Sequence, residues 1–134
     1  MFSVLLLEDW AECGRMFKIL LEMKGHKVTW VVGAKQAAAE NLHAVLESGD
    51  EVNIQPSDFQ VALVDGNLRG DLDGWEIVPA LAKAGVICIA ISSGVDQNAK
   101  MIKAGAQLSV RKEYLIMELD ELLKCADALN LAAA

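Results

Sequence analysis

Short apolar runs alternate along the chain with segments whose apolar residues recur at helical spacing. Residues 61–64 (VALV) and 86–91 (VICIAI) are unbroken apolar runs, typical of strands buried on both faces. Phe17, Leu20 and Leu21 share one face of a predicted helix. The pattern predicts strands at residues 3–7, 27–32, 60–64, 86–91 and 107–110, with helices at 11–24, 34–47, from 73 onward, 96–104 and 115–129.

Strands that alternate with helices indicate an α/β fold, in which helices cover both faces of a parallel sheet. Five such units predict a flavodoxin-like doubly wound sheet with strand order 2-1-3-4-5 and five helices. The alanine-rich segment 34–47 is the predicted second helix, and the acidic segment 50–58 is a predicted loop. Residues 1–130 are expected to form one domain, and the low-complexity residues 131–134 are interpreted as a remnant of cloning.

The bulk composition excludes several classes of protein. With 134 residues, 54% of them hydrophobic and 23% charged, the chain can bury a core and is not intrinsically disordered. A net charge of −7 argues against direct nucleic-acid binding. The apolar runs are too short for a signal peptide or a membrane span, so we expect a cytoplasmic protein without membrane association.

Polar and charged residues follow the predicted strands. Glu8 and Asp9 come directly after the first strand, and Asp65 comes after the third. Parallel strands end at one edge of the sheet, where such folds have their binding crevice, so we expect the three carboxylates to lie together. Close carboxylates repel one another, and a hard divalent cation such as Mg²⁺ would offset that repulsion. The next two strands end near Ser92 and Lys112, which add a hydroxyl and an ammonium group.

This order of an acid pair, a lone aspartate, a hydroxyl and a lysine resembles the receiver domain of two-component response regulators, of the chemotaxis-regulator type. The resemblance covers about residues 2–129, and residues 25–28 (GHKV) and 73–76 (DGWE) also fit it. Each motif alone is weak, but five of them in register make the resemblance specific.

The resemblance implies a role for each candidate residue. Asp65 would be the phospho-acceptor, and Lys112 and Ser92 would contact the phosphoryl group. The cofactor would be Mg²⁺, with Mn²⁺ as an alternative. Its protein ligands would be Glu8, Asp9, Asp65 and the backbone carbonyl of Asn67.

The resemblance also implies a phosphorylation-controlled switch and not an enzyme in the ordinary sense. Its only chemistry would be self-phosphorylation from donors and autodephosphorylation. A histidine kinase or a histidine phosphotransfer protein would supply the phosphoryl group. An output partner would bind the face formed by the fourth helix, the fifth strand and the fifth helix, and a homodimer is a further assembly that the resemblance allows.

Several positions depart from the family pattern. Ser109 stands where the family has a switch aromatic, Glu113 replaces a proline after Lys112, and Arg69 replaces a loop proline. Ser93 competes with Ser92 as the switch hydroxyl.

These departures leave alternative functions open. The first alternative is a receiver-like scaffold that binds partners independently of phosphorylation. The second is a Mg²⁺-dependent phosphotransferase or phosphatase with an aspartate nucleophile, but haloacid-dehalogenase-like enzymes need Asp-x-Asp-x-Thr, and residues 65–69 are DGNLR. A flavin-binding flavodoxin is disfavoured because no Ser/Thr/Gly-rich phosphate loop follows the first strand.

Overall fold

The computed structural model describes residues 1–133, which contain two β-sheets. In chain order the elements are β1 (Ser3–Leu7), α1 (Ala11–Met23), β2 (Lys27–Val31), β3 (Gly33–Ala38), β4 (Asn41–Val45), β5 (Glu51–Ile54), β6 (Val61–Val64), β7 (Arg69–Gly70), α2 (Gly74–Lys83), β8 (Ile87–Ala90), α3 (Val95–Ala104), β9 (Leu108–Ser109) and α4 (Leu115–Ala133). Short 3₁₀ turns lie at Pro56–Asp58 and Lys112–Tyr114.

The larger sheet has five parallel strands in the order β2-β1-β6-β8-β9. This confirms the predicted α/β class and parallel sheet, and the order equals 2-1-3-4-5 when only the strands of this sheet are numbered. Leu7 pairs with Val31 on one side and with Val64 on the other, and Val64 pairs with Ala90. The carboxyl ends of four neighbouring strands therefore meet at one edge of the sheet.

Apolar side chains cover both faces of the parallel sheet. On one face, Phe17 and Leu21 of α1 and Leu119 of α4 belong to one buried cluster with Leu6 and Leu63 of the sheet. The other face is covered by α2, α3 and the strands β3 and β4. The unbroken apolar runs in the strands follow from this double burial.

The predicted second helix at residues 34–47 is wrong. The same residues form the antiparallel strands β3 and β4, and the predicted loop at 50–58 contributes the third strand, β5. The described residues therefore contain four α-helices and not the predicted five. Alanine content favours helix only weakly, and tertiary packing overrides it here.

Packing explains why this segment is extended. Leu42 and Ala44 are buried, Asn41 is exposed and His43 is half-buried, which is the alternation of a strand with one buried face. The buried side chains join Leu5 and Leu7 in one apolar cluster. The antiparallel strands thus cover the part of the parallel sheet that the second helix was expected to cover.

The second sheet has the order β5-β4-β3-β7 and reaches the loop after β6. Gly33 pairs with Arg69, and the amide of Arg69 donates to the carbonyl of Val32 at 2.9 Å. A Cβ atom at Gly33 would lie 1.6 Å from the carbonyl oxygen of Arg69. Only a glycine at this position lets the two backbones approach so closely.

The remaining expectations concern the chain end and membrane association. Residues 131–133 continue α4, whereas Ala134 lies outside the described residues, so the interpretation of 131–134 as a remnant stays a prediction. Within residues 1–133, no helix combines the length and apolar character that crossing a bilayer requires.

Replacing Gly33 with alanine should destabilise the protein by about 1–3 kcal/mol, the usual cost of overpacking. The added methyl group would force β3 away from Arg69, so the second sheet would lose its contact with the β6 loop. Urea denaturation gives the free energy of unfolding. Gly94→Ala is the matched control, because a Cβ at Gly94 meets its nearest atoms at an ordinary 3.5 Å. Equal stability of the two variants would contradict this close approach.

Candidate functional site

Three carboxylates lie together at the carboxyl edge of the parallel sheet. Glu8 and Asp9 follow β1, and Asp65 follows β6; each offers an oxygen, and these oxygens lie within 4.8 Å of one another. The pairing of β1 with β6 brings these carboxylates together. The hydrogen bonds between the two strands extend to Asp65, whose amide donates to the carbonyl of Leu7 at 3.0 Å. Glu8 is fully buried and Asp65 is 5% exposed.

Lys112 lies between two of these acids. Its Nζ is 2.7 Å from Asp65 Oδ2 and 2.8 Å from Glu8 Oε1. The lysine lies three residues after the strand β9 and begins a 3₁₀ turn, Lys112–Tyr114, in which no peptide bond is cis. The ammonium group offsets part of the repulsion between the two carboxylates.

The environment of Glu8 disfavours its charged form. Burial is the main cause, and with the nearby charge of Asp65 it raises the pKa of Glu8 to about 7, although the contact with the Lys112 ammonium opposes the rise. For Lys112, burial lowers the pKa, but the hydrogen bond to Asp65 and the ion pair with Glu8 outweigh it, so the net pKa is raised. Lys112 therefore stays positively charged, while Glu8 can take up a proton near neutral pH.

Two contacts from neighbouring elements hold the backbone of Glu8. Its amide donates to Val31 at 3.1 Å, and its carbonyl accepts a hydrogen bond from Trp30 Nε1 at 2.8 Å. The Trp30 ring lies against Gly14 of α1, where a Cβ atom would come within 2.2 Å of the indole. Sequence reasoning missed Trp30 and Gly14, because only the structure shows the indole lying across the helix.

The loop after β6 is held by its own backbone and by the start of α2. The amide of Gly66 donates to Asp65 Oδ1 at 2.7 Å, and the amide of Gly74 donates to the carbonyl of Gly66 at 2.8 Å. A Cβ at Gly74 would lie 2.1 Å from the carbonyl oxygen of Asp65. Asp73 and Glu76 form a capping box at the start of α2, in which Glu76 Oε1 accepts a hydrogen bond from the amide of Asp73 at 3.0 Å. Helix α2 thus packs directly behind Asp65.

Arg69 connects the acid pair to the second sheet. Its Nη2 donates to the carbonyl of Asp9 at 3.2 Å, while its backbone belongs to β7. The sequence identified Arg69 only as a departure from the family pattern, because its partner is a backbone atom sixty residues earlier in the chain.

Ser92 lies at the end of β8, the strand beside β6, and is 2% exposed. Its amide donates to Asn98 Oδ1 at 2.9 Å, and its carbonyl accepts from Asn98 Nδ2 at 3.0 Å. Ser93, the competing candidate, is exposed, as is Asn67 on the loop after β6. Of the predicted site residues, Glu8, Asp9, Asp65 and Lys112 are in one cluster, Ser92 is at the adjacent strand end, and the roles of all of them stay predictions.

The acidic cluster fits a hard divalent cation. Among the described residues, Glu8 Oε1 is a buried oxygen without a well-formed hydrogen bond, although it is in ion-pair contact with Lys112. Three carboxylates and one ammonium carry a formal charge of −2 when all are ionised. Carboxylate oxygens are the ligands that Mg²⁺ prefers, so both the charge and the donor atoms suit that ion.

Comparison with known proteins gives a structural likeness and no match at the level of sequence. No protein-family model matches the chain, and no curated protein matches it significantly. A response-regulator receiver domain of Francisella shares 17% identity over the full length of both chains, with a TM-score of 0.65.

Two further solved structures also resemble this chain in fold. The signal receiver domain of a modulated diguanylate cyclase from Desulfovibrio desulfuricans, described as an example of alternate folding, has 20% identity and a TM-score of 0.67, covering 100% of this chain and 99% of that one. The receiver domain of a sensor histidine kinase from Pseudomonas aeruginosa, with magnesium in its active-site cleft, has 21% identity and a TM-score of 0.70, covering 92% of this chain and 94% of that one. The chain has the receiver-domain fold, and the predicted resemblance is confirmed at that level.

The buried Glu8 makes stability depend on pH. Between about pH 4.5, its ordinary pKa, and about pH 7, the folded protein keeps a proton that the unfolded chain releases. The contribution of Glu8 to stability therefore falls as the pH rises through this range. Without metal, Glu8→Gln should be more stable than wild type at pH 8, by on the order of 2–3 kcal/mol, and nearly equal to it at pH 5.

Urea denaturation with a chelator present, at both pH values, measures this difference. Glu40→Gln is the matched control, because Glu40 is exposed. If Glu8→Gln and Glu40→Gln changed the stability equally at both pH values, Glu8 would not be ionising in a buried site.

Proposed function

We propose that this chain is a phospho-accepting receiver domain of a two-component or phosphorelay system, spanning residues 1–130 and phosphorylated on Asp65. One observation carries the proposal: Lys112 lies between the buried Glu8 and Asp65, with Asp9 beside them. The receiver-domain fold agrees with it. Such a domain is a signalling switch, with self-phosphorylation and autodephosphorylation as its only chemistry.

Asp65 is the nucleophile in this proposal. One oxygen of its carboxylate attacks the phosphorus of the donor, the P–N bond of a phosphohistidine breaks, and the electron pair returns to the donor's imidazole. The product is an acyl phosphate. The amide of Gly66 and the ammonium of Lys112 each contact one carboxylate oxygen, at 2.7 Å, which fixes the orientation of the nucleophile.

Glu8, Asp9 and Asp65, with the backbone carbonyl of Asn67, would hold Mg²⁺, or Mn²⁺ in its place. The bound cation would neutralise the acids and the incoming phosphoryl oxygens. Lys112 would turn from Glu8 toward a phosphoryl oxygen, because its flexible stem carries a compact positive charge. The presence of magnesium in the cleft of the Pseudomonas aeruginosa receiver domain supports this assignment.

Ser92 would transmit the change. Its hydroxyl would donate a hydrogen bond to the phosphoryl group, which adds about −1.5 to −2 charge. The loop between β8 and α3 would move with it and alter the face formed by α3, β9 and α4, the equivalent of the predicted output surface. Val95, Ile102 and Tyr114 are large apolar or aromatic residues exposed on this side of the protein.

The partners follow from this chemistry. A histidine kinase or a histidine phosphotransfer protein donates the phosphoryl group, and an output partner, or a second copy of the chain, binds the α3–β9–α4 face. No direct contact with nucleic acid or membrane is part of the proposal, and the compartment is the cytoplasm, where such donors act.

A phosphorylation-independent scaffold is the second candidate. Ser109 favours it, because this small, exposed residue of β9 cannot fill and vacate a pocket as the family's aromatic would. The buried acidic cluster opposes it, since a scaffold gains nothing from three carboxylates held this close.

One phosphoryl group should be taken up from a small phosphodonor with Mg²⁺, at Asp65. Intact mass measures the uptake, and the adduct should be labile to hydroxylamine, as an acyl phosphate is. Asp65→Asn should abolish it. Asp71→Asn should not, because Asp71 is an exposed aspartate on the following loop. Uptake that persists in Asp65→Asn would show that Asp65 is not the acceptor, and no uptake in wild type would favour the scaffold.

Mg²⁺ affinity should depend on Asp9. Trp10 directly follows the acid pair and donates its amide to Glu8 Oε2 at 3.1 Å, so its fluorescence should report binding. Asp9→Asn should weaken binding by about tenfold or more, since even outer-shell substitutions cost roughly 10- to 100-fold. Asp71→Asn again serves as the control, and equal affinity in Asp9→Asn and wild type would rule out the proposed ligand set.

A further inference from the structure

The hydroxyl of Ser92 is fully engaged in this structure. It accepts a hydrogen bond from the amide of Gly94 at 3.1 Å and donates its single proton to Gln97 Oε1. A serine hydroxyl has only one proton to donate. It can therefore contact a phosphoryl oxygen as donor only after it leaves Gln97.

The side chain of Gln97 lies between the end of β8 and the loop that carries the acceptor. A Cβ at Gly66, the residue after Asp65, would lie 2.7 Å from Gln97 Oε1 and 3.1 Å from Gln97 Cβ. The same side chain passes Gly94, where an added Cβ would be 3.5 Å away. The absence of a side chain at Gly66 leaves room for Gln97 beside the acceptor.

The backbone at Ser92 does not depend on Gln97. Asn98 holds the amide and the carbonyl of Ser92, and its Nδ2 also donates to the carbonyl of Val110 at 3.1 Å. Asn98 is buried, whereas Gln97 is half-buried. Loss of the Gln97 amide should thus free the hydroxyl of Ser92 while leaving the strand end in position.

We propose that Gln97 is a positioning residue that holds the Ser92 hydroxyl in the resting state and releases it to the phosphoryl group on Asp65. The inference rests on the proposed function and adds a specific opposing contact to it. Phosphorylation has to break the Ser92–Gln97 hydrogen bond before the loop can rearrange. Gln97 therefore sets how readily the switch leaves its resting state.

The direction of the effect distinguishes this role from a structural one. A residue needed only for folding would weaken phosphoryl binding when truncated. Gln97→Ala should instead tighten the binding of beryllofluoride, a phosphoryl mimic, in the presence of Mg²⁺. The gain should be about threefold to tenfold, equivalent to one neutral hydrogen bond. Gln97→Glu should weaken binding, because its carboxylate keeps the acceptor and repels the anion.

A double-mutant cycle tests whether Gln97 acts through Ser92. Beryllofluoride affinity is measured by Trp10 fluorescence in wild type, Gln97→Ala, Ser92→Ala and the double variant. The gain should disappear in the Ser92→Ala background. Gln36→Ala is the matched control, because Gln36 is an exposed glutamine on β3. An unchanged or weaker affinity in Gln97→Ala, or an equal gain without the Ser92 hydroxyl, would overturn the inference.

Amide exchange measures the resting contact without any phosphoryl mimic. The Gly94 amide donates to the Ser92 hydroxyl, so it should exchange faster in Gln97→Ala than in wild type. In Gln97→Glu its exchange rate should equal that of wild type. Unaltered exchange in Gln97→Ala would show that Gln97 does not restrain the hydroxyl, and would also overturn the inference.

The two proposals fail differently. If wild type accepts a phosphoryl group at Asp65 but the cycle shows no gain, the receiver function stands and the role of Gln97 is wrong. If wild type neither accepts a phosphoryl group nor binds beryllofluoride, the proposed function fails and the role of Gln97 fails with it.

Discussion

The ammonium group of Lys112, in contact with Asp65 at 2.7 Å and with Glu8 at 2.8 Å, is the contact on which the site depends. Two buried carboxylates without a cation would repel each other in a medium that solvates them poorly. The lysine offsets only part of this charge, because Asp9 adds a third carboxylate. Burial, with the nearby charge of Asp65 as a smaller cause, raises the pKa of Glu8 to about 7. The site is therefore poised to take up positive charge, as a proton or as a metal ion.

The proximity of these groups could be predicted because strand order decides it. Glu8 and Asp65 each follow an apolar run, Lys112 follows the short predicted strand at 107–110, and parallel strands end at one edge whatever the details of the loops. The contacts that orient the groups could not be predicted. Trp30 donates to the backbone carbonyl of Glu8, and Arg69 donates to that of Asp9. A sequence motif cannot show such contacts, because every residue has a backbone carbonyl.

The failure at residues 34–47 has a different cause. Alanine favours a helix, but propensity is a weak guide that tertiary packing overrides, so the composition of 33–39 pointed to the wrong structure. The better signal was the alternation in residues 41–45 (NLHAV), in which Leu42 and Ala44 are buried. A strand also needs a neighbouring strand to pair with. The partner of β4 is β5 (Glu51–Ile54), which lies in the acidic segment 50–58 that was predicted to be a loop. Pairing with strands elsewhere in the chain made this segment extended, and a local sequence pattern cannot show such pairing.

Close backbone approaches connect the unexpected sheet to the expected site. At Gly33 and Gly74, an added Cβ would come within 1.6 Å and 2.1 Å of backbone carbonyl oxygens on the loop from 65 to 69. At Gly66 it would come within 2.7 Å of the Gln97 side chain. The loop that carries Asp65 is thus held on three sides by contacts that any larger residue would prevent. A loop restrained in this way can pass a change at Asp65 to α2 and the second sheet, because the close approaches at Gly74 and Gly33 are to backbone atoms, which cannot move independently of the chain.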